Sequence, residues 1–369
     1  MKTETIVNHP NDRRPNGRLF LLAIFTASAT ALTCGLAHAS DTNLYYDVNT
    51  YGATGNGVTN DGPDIQAALT AAGGVGKSGI VKLHGGIYLT GQTLLIPQGV
   101  TLEGAGGHDP SSQPGSSIEP YGGFSGALLG TSSSVFWHEG GIINLSVRHS
   151  GGDGIYIAGG MGEAAYIDRV TCDNNAGDGI HIAGDGTPVH LGHLSVHSNG
   201  AAGLDLDHQQ YSLVQVLYVA GDNNGTALVY INGGDTTSNY EILGWKAERW
   251  GTGFGNPCVF LLNNLNGAMC NIGSGRINIG SGVNVAGTAI VHQTFTTGSS
   301  IGYITTFGVT ETVASGSSDY AAGYLDDKNS LSIPTSVFLR HPFSTAQWLF
   351  ANQFGDYPQV YSGGTWTNL

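Results

Sequence analysis

Short runs of alternating apolar and polar residues fill the middle of the chain, and the runs recur. Leu145 and Val147, Val170 and Cys172, Leu194 and Val196, and Val216 and Tyr218 stand two apart in NLSVRH, RVTCDN, HLSVHS and QVLYVA. Period two predicts strands with one buried face. A second set of strands, GIYIAG from Gly154, GIHIAG from Gly179, GLDLDH from Gly203 and ALVYIN from Ala227, follows at steps of 25, 24 and 24 residues. Self-similarity at a fixed period marks stacked units, none of which can bury its apolar face alone. The pattern therefore predicts an all-β solenoid, a parallel β-helix whose equivalent residues stack roughly 4.8 Å apart. A β-sandwich also offers many short strands, but gives no reason for successive units to match. Weaker coils continue from Tyr240, Pro257, Ile277 and Thr288, and the repeat fades beyond Thr296.

Both ends depart from this pattern. Arg13, Arg14 and Arg18 precede an apolar run from Leu19 to Leu36, and Ala37-His38-Ala39 forms a small-x-small site. This predicts a signal peptide over residues 1–39, a secreted or periplasmic protein, and no membrane span once the signal is cleaved. Pro63 after Asp61-Gly62, with Ile65, Ala68, Leu69 and Ala72 on one face, predicts a helix capping the open N-terminal end of the stack. The β-helix is expected over residues 40–329. From Ser330 the chain turns aromatic, with Phe338, Trp348, Tyr361 and Trp366 among others, and predicts a C-terminal cap or small accessory element over residues 330–369.

Composition narrows the partners. Only 11% of residues are charged, 59 are glycine, and the net charge is −14, which suits tight turns and argues against nucleic acid. An acidic substrate would need local basic groups or a bridging cation to overcome that field. Cys258 and Cys270 could pair, leaving Cys172 as a small apolar core residue.

YGATGNG at Tyr51–Gly57, the helix near Pro63, HGGIY at His84–Tyr88 and VTLEGAG at Val100–Gly106 together resemble the N-terminal coil of the pectin-lyase-like superfamily. The nearest type is the one shared by rhamnogalacturonases, polygalacturonases and epimerase-like pectate lyase domains. The resemblance implies a single-stranded right-handed parallel β-helix acting on an extracellular, acidic polysaccharide. It does not choose a reaction, because the superfamily holds lyases, hydrolases, epimerases and depolymerases.

Outward columns are where such a protein would meet its ligand. The first contains Tyr156, His181 and Asp205, with Asp153 and Asp178 in the turns just before. Asn175-Ala176-Gly177-Asp178-Gly179 is similar to a loosened Asn-Thr-Asp-Gly catalytic element of polygalacturonases. Two carboxyl groups on neighbouring coils suit glycosidic hydrolysis, although aspartate in a Gly-Asp-Gly corner also bonds backbone to set a turn. Asp153, Asp178, His181 and Asp205 are thus the candidate catalytic residues, with Tyr156 as a substrate contact. A second column holds Arg148, Asp173 and His197, flanked by Asn144, Arg169, His193 and Gln215. Cation and carboxylate together suit a lyase, which neutralises a uronate and removes its C5 proton, and aspartates could hold Ca²⁺ for that purpose. Arg148, Asp173 and His197 are accordingly candidate substrate contacts, or else a solvated face. Trp245, Trp250 and Tyr240 are either sugar-stacking surfaces or buried packing.

Several family elements are missing. The coil that should carry Gly-His-Gly reads GAAGLDL, Arg276-Ile277-Asn278 stands in for Arg-Ile-Lys, and neither Asp-Pro-His-Asp nor Arg-x-Pro-x-x-Arg occurs. No His-x-His spacing points to a transition metal. The sequence therefore supports two functions: a polysaccharide lyase or hydrolase, and a non-catalytic, adhesin-like glycan binder.

Overall fold

The computed structural model describes residues 45–74, 78–107, 115–133, 136–186, 188–207, 213–248 and most of 258–278, with scattered strands onward to Asn368. The expected signal peptide and Trp250 lie outside the described residues. Among those described, no helix is long and apolar enough to cross a membrane.

The chain is a parallel β-helix. One sheet stacks the long strands Gly141–Arg148, Tyr166–Asp173, Val189–His197, Leu213–Asp222, Asn239–Glu248 and Met269–Asn278. The other stacks the short strands Ile155–Ile157, Ile180–Ala183, Leu204–Asp207, Ala227–Asn232 and Cys258–Asn263. Their alternating apolar residues fill the interior: Leu145, Val170, Leu194 and Val219 form one ladder, and Ile155, Ile180, Leu204 and Val229 another.

The fourth coil corrects the alignment read from sequence. Leu204 pairs with Val229, so the last step is 25 residues rather than 24. In the long sheet Leu194 pairs with Val219 and His193 with Tyr218, while Gln215 faces His190. Gln215 therefore leaves the row of Asn144, Arg169 and His193, and Tyr218 takes its place. Val214, Val216 and Val219 are all buried, so alternation alone admits either register, and the bend in each long strand decides it. Asn144 and Arg169 mark that bend with φ of 58° and 52°.

The corner from long strand to short strand is built on amides. Ser150, Asn175, Asn199 and Asn224 are buried there. Asn175 Nδ2 donates to Asn199 Oδ1 at 2.9 Å, and Asn199 Nδ2 to Asn224 Oδ1 at 3.0 Å. The same amide nitrogens also reach the carbonyls of Val147 and Cys172. Asn175 is thus a rung of a structural ladder rather than part of a catalytic Asn-Thr-Asp-Gly element.

The N-terminal coil shows why its motifs belong together. Helix Gly62–Ala72 buries Ile65, Ala68, Leu69 and Ala72 as expected. Asp61 is fully buried without capping the helix; its carboxylate accepts from the Thr54 and Gly55 amides at 2.7 and 3.2 Å. Gly55 adopts φ of 61°, and a Cβ there would lie 2.8 Å from the Tyr88 ring. The Tyr88 hydroxyl in turn accepts from the His84 amide at 3.0 Å. YGATGNG and HGGIY are two halves of one packed corner.

Trp245 and Tyr240 are buried packing, not sugar platforms: Trp245 meets Phe260 edge-on and donates to the Gly273 carbonyl. Cys172 and Cys270 are buried free thiols, and the side chain of Cys258, the partner expected for Cys270, lies outside the described residues. Near the C-terminus, five antiparallel strands from Gly323 to Asn368 form a separate small sheet whose first strand precedes Ser330.

The amide ladder makes a stability prediction. Asn199→Ala removes the acceptor for Asn175 and the donor for Asn224 inside the core, and should cost on the order of 3 kcal/mol, read as a lowered urea midpoint.

Candidate functional site

The short strands carry the site on their outward face. Ile155–Ile157, Ile180–Ala183 and Leu204–Asp207 point alternate residues inward, so Tyr156, His181 and Asp205 stand in register outside, as expected from the sequence. The corrected register adds Tyr230 beside Asp205 and Asn232 beside Asp207. The period-two pattern of LDLD already put Asp207 on the face of Asp205; Tyr230 was hidden by the one-residue slip.

Asp153 and Asp178 enter from the preceding glycine turns, and each divides its carboxylate between two tasks. Asp153 Oδ1 accepts from the Asp178 amide at 2.8 Å, and Asp178 Oδ1 from the Ala202 amide at 2.6 Å, pegging each coil to the next. The second oxygens face His181: Asp153 Oδ2 lies 3.3 Å and Asp178 Oδ2 3.8 Å from His181 Nδ1. The turn-setting and functional readings of these aspartates are therefore compatible. Opposite, His181 Nε2 is 3.9 Å from Asp207 Oδ2. Asn232 secures Asp207 by a 2.7 Å hydrogen bond, and the Tyr156 ring packs against His181 with centroids 4.9 Å apart.

The electrostatics of this cluster are unusual. Asp205 is 7% exposed, and its Oδ1 has no hydrogen-bond partner. Burial, reinforced by the charge of Asp178, pushes its pKa up to about 7. Burial likewise raises Asp178 to about 6, with the Ala202 amide opposing the rise. Burial disfavours a charged His181, but the Asp153 hydrogen bond and the surrounding carboxylates outweigh it and hold the ring's pKa above its ordinary value. The site thus gathers two carboxyl groups raised toward neutrality and an imidazole whose charged form its carboxylate neighbours favour.

Asp153, Asp178 and His181 each offer one ligand atom, all within 4.8 Å of one another. Two carboxylate oxygens and a ring nitrogen suit Ca²⁺ poorly, since it takes six to eight oxygens, and the aspartates' remaining oxygens are engaged by backbone amides.

Arg148, Asp173 and His197 do not join this cluster. They end the long strands, on the other side of the asparagine corner. Both Nε and Nη2 of Arg148 donate to Asp173 Oδ2, at 3.1 and 2.8 Å, and His197 Nδ1 bonds Asp222 Oδ1 at 2.7 Å. The column is two closed pairs rather than an open cationic face.

Comparison with known proteins agrees with this architecture. Over residues 45–254 the chain matches the family described as rhamnogalacturonase A/epimerase, pectate lyase-like. No curated protein matches it in sequence. Among solved structures, ORF18 of Geobacillus virus E2 is similar at 13% identity and a TM-score of 0.55, over 88% of this chain and 68% of that one. The mannuronan C-5 epimerase AlgE4 A-module of Azotobacter vinelandii aligns at 19% identity and a TM-score of 0.42, over 72% of this chain and 77% of that one. The surface adhesin PfbA of Streptococcus pneumoniae aligns at 12% identity and a TM-score of 0.39, over 84% and 99%. With the motifs of its first coil, its stacked strands and a family match over more than half its length, the chain belongs to the rhamnogalacturonase A/epimerase, pectate lyase-like family.

Proposed function

We propose that the protein is an exported glycoside hydrolase that cleaves a polysaccharide across the Asp178–His181–Asp205 face. The observation that carries this reading is that burial raises two carboxyl groups on neighbouring coils beside one imidazole, Asp178 to about 6 and Asp205 to about 7. Asp205 stands in register with His181, three residues beyond Asp178 on the neighbouring coil, and glycosidase pairs work with their carboxyl groups about 5–9.5 Å apart. Asp205 donates its proton to the leaving glycosidic oxygen. Asp178, ionised, attacks the anomeric carbon or takes a proton from the attacking water. His181 favours the ionised form of both carboxyl groups, opposing the rise that burial gives them, and Tyr156 and Tyr230 flank them along the column as sugar contacts.

A lyase is less well served. It needs a free cation to neutralise a uronate, yet Arg148 is bound to Asp173 and His181 to Asp153. Asp153, Asp178, Asp205 and Asp207 surround that single imidazole, so we read the sugar at the cleavage point as uncharged, against the acidic substrate implied by resemblance.

The test is incubation with a panel of neutral and acidic polysaccharides, following reducing ends and the ultraviolet absorbance of unsaturated sugars. New reducing ends without absorbance are expected; absorbance would make the enzyme a lyase, and binding without cleavage would favour the adhesin-like reading. The rate should follow a bell with apparent values near 6 and 7, which belong to the coupled pair. Asp178→Asn retains an acceptor for the Ala202 amide, and should lose activity by about 10²-fold or more while remaining folded.

Asp205→Asn should lose activity and gain stability. The folded protein holds a proton on Asp205 that the unfolded chain releases above about pH 4, so the parent loses stability as pH rises from there through about 7. Thermal unfolding should show the variant more stable than the parent at pH 8, by at most ~4 kcal/mol, with the difference gone at pH 4.

A further inference from the structure

On the long-strand face, away from the aspartate cluster, a second constellation stands ready. Strand Val189–His197 buries Leu194 and Val196 and turns Ser195 and His197 outward. Ser195 Oγ lies 2.6 Å from His197 Nε2, and His197 Nδ1 lies 2.7 Å from Oδ1 of Asp222, the residue in register on the next coil. A carboxylate only accepts, so Asp222 fixes the proton on Nδ1 and leaves Nε2 to accept from the Ser195 hydroxyl. The Asp222 side chain is 12% exposed and that of His197 29%, which shields the acid and leaves the ring reachable.

We infer that Ser195, His197 and Asp222 form a nucleophilic triad that hydrolyses short-chain carboxylic esters. The three hold the roles of the serine-hydrolase arrangement, which is identified by geometry rather than by sequence order. The Ser195 oxygen attacks the ester carbonyl carbon while its proton passes to His197 Nε2. The tetrahedral intermediate expels the alcohol, which takes that proton, and leaves an acyl-Ser195. Water then attacks the acyl carbon, gives its proton to His197, and releases the carboxylic acid and free serine. Asp222 is a positioning residue, holding the ring in the productive tautomer.

The coils on either side define the substrate. Thr171 stands in register with Ser195 one coil back, and Ala220 stands in register on the next coil with only a methyl side chain. The small neighbour suits a short acyl group. Two coils earlier the equivalent pair is Ser146 and Arg148, with Arg148 bound to Asp173. LSVR and LSVH differ only in that residue, and only the second supplies a base.

The experiment treats the full chain with a fluorophosphonate probe, locates the label by peptide mass spectrometry, and measures hydrolysis of p-nitrophenyl acetate and p-nitrophenyl palmitate. Label on Ser195 and turnover of the acetate alone are expected. Ser195→Ala should lower the rate by about 10²-fold or more, and Asp222→Asn should lower kcat more than KM and displace the pH–rate profile. Absence of label on Ser195 in the folded parent protein overturns the inference, as does a Ser195→Ala variant with the parent's rate. Because the substrates carry no glycosidic bond, either result leaves the glycan-cleavage reading to its own test.

Discussion

Every rung of the asparagine ladder must satisfy its amide inside an apolar core, and that requirement organises the molecule. The corner turns the chain from long to short strand in buried surroundings, where an unpaired amide costs about 1–3 kcal/mol. Asn175, Asn199 and Asn224 meet the demand by bonding one another and the carbonyls of the preceding strand. That locks neighbouring coils in register at the corner, and both groups of candidate site residues flank it. Asp173, His197 and Asp222 lie just before the turn, and Asp153 and Asp178 just after. Their placement follows from a structural amide, not from contacts among themselves.

The aspartate cluster runs the other way energetically. Burying Asp205 without a partner for Oδ1 works against the fold, as does crowding four carboxyl groups around one imidazole. A solvated outer face has no need of such an arrangement. Stability given up at a defined place, and upheld by well-satisfied coils around it, is what a reactive site looks like in a rigid scaffold. The division of labour within Asp153 and Asp178 makes this tolerable, since one oxygen of each joins the coils while the other faces His181.

Much of this was legible in the sequence, for a physical reason. A solenoid writes each rung of its core once per coil, so Leu145, Val170 and Leu194 and the repeated Gly-Asp-Gly turns disclose the fold and the column of Tyr156, His181 and Asp205. Legibility failed where a strand satisfies two registers equally well. Val216 and Val219 can each face inward, and only the bend in the long strand selects between them. That slip concealed Tyr218 at the bend and Tyr230 at the site. The ladder escaped for a different reason: Asn175 stands three residues before Asp178 and reads as part of a catalytic element, while no aspartate follows Asn199 or Asn224 at that spacing. His197 was recognised as an outward residue, but its bond to Asp222 joins strands 25 residues apart and becomes visible only once the coils are stacked.

The ladder also bears on how the protein ages. Asn199 and Asn224 are each followed by glycine, the pairing in which an asparagine side chain most readily cyclises onto the next backbone nitrogen and loses ammonia. While the stack is closed, the amides are committed to one another and shielded from water. Once a coil opens, deamidation would place a carboxylate where the next rung requires a donor, and the corner could not close again. Heat-unfolded protein would then accumulate a chemical lesion that bars its return, so that durability is set by how seldom the stack opens rather than by the equilibrium between folded and unfolded chains.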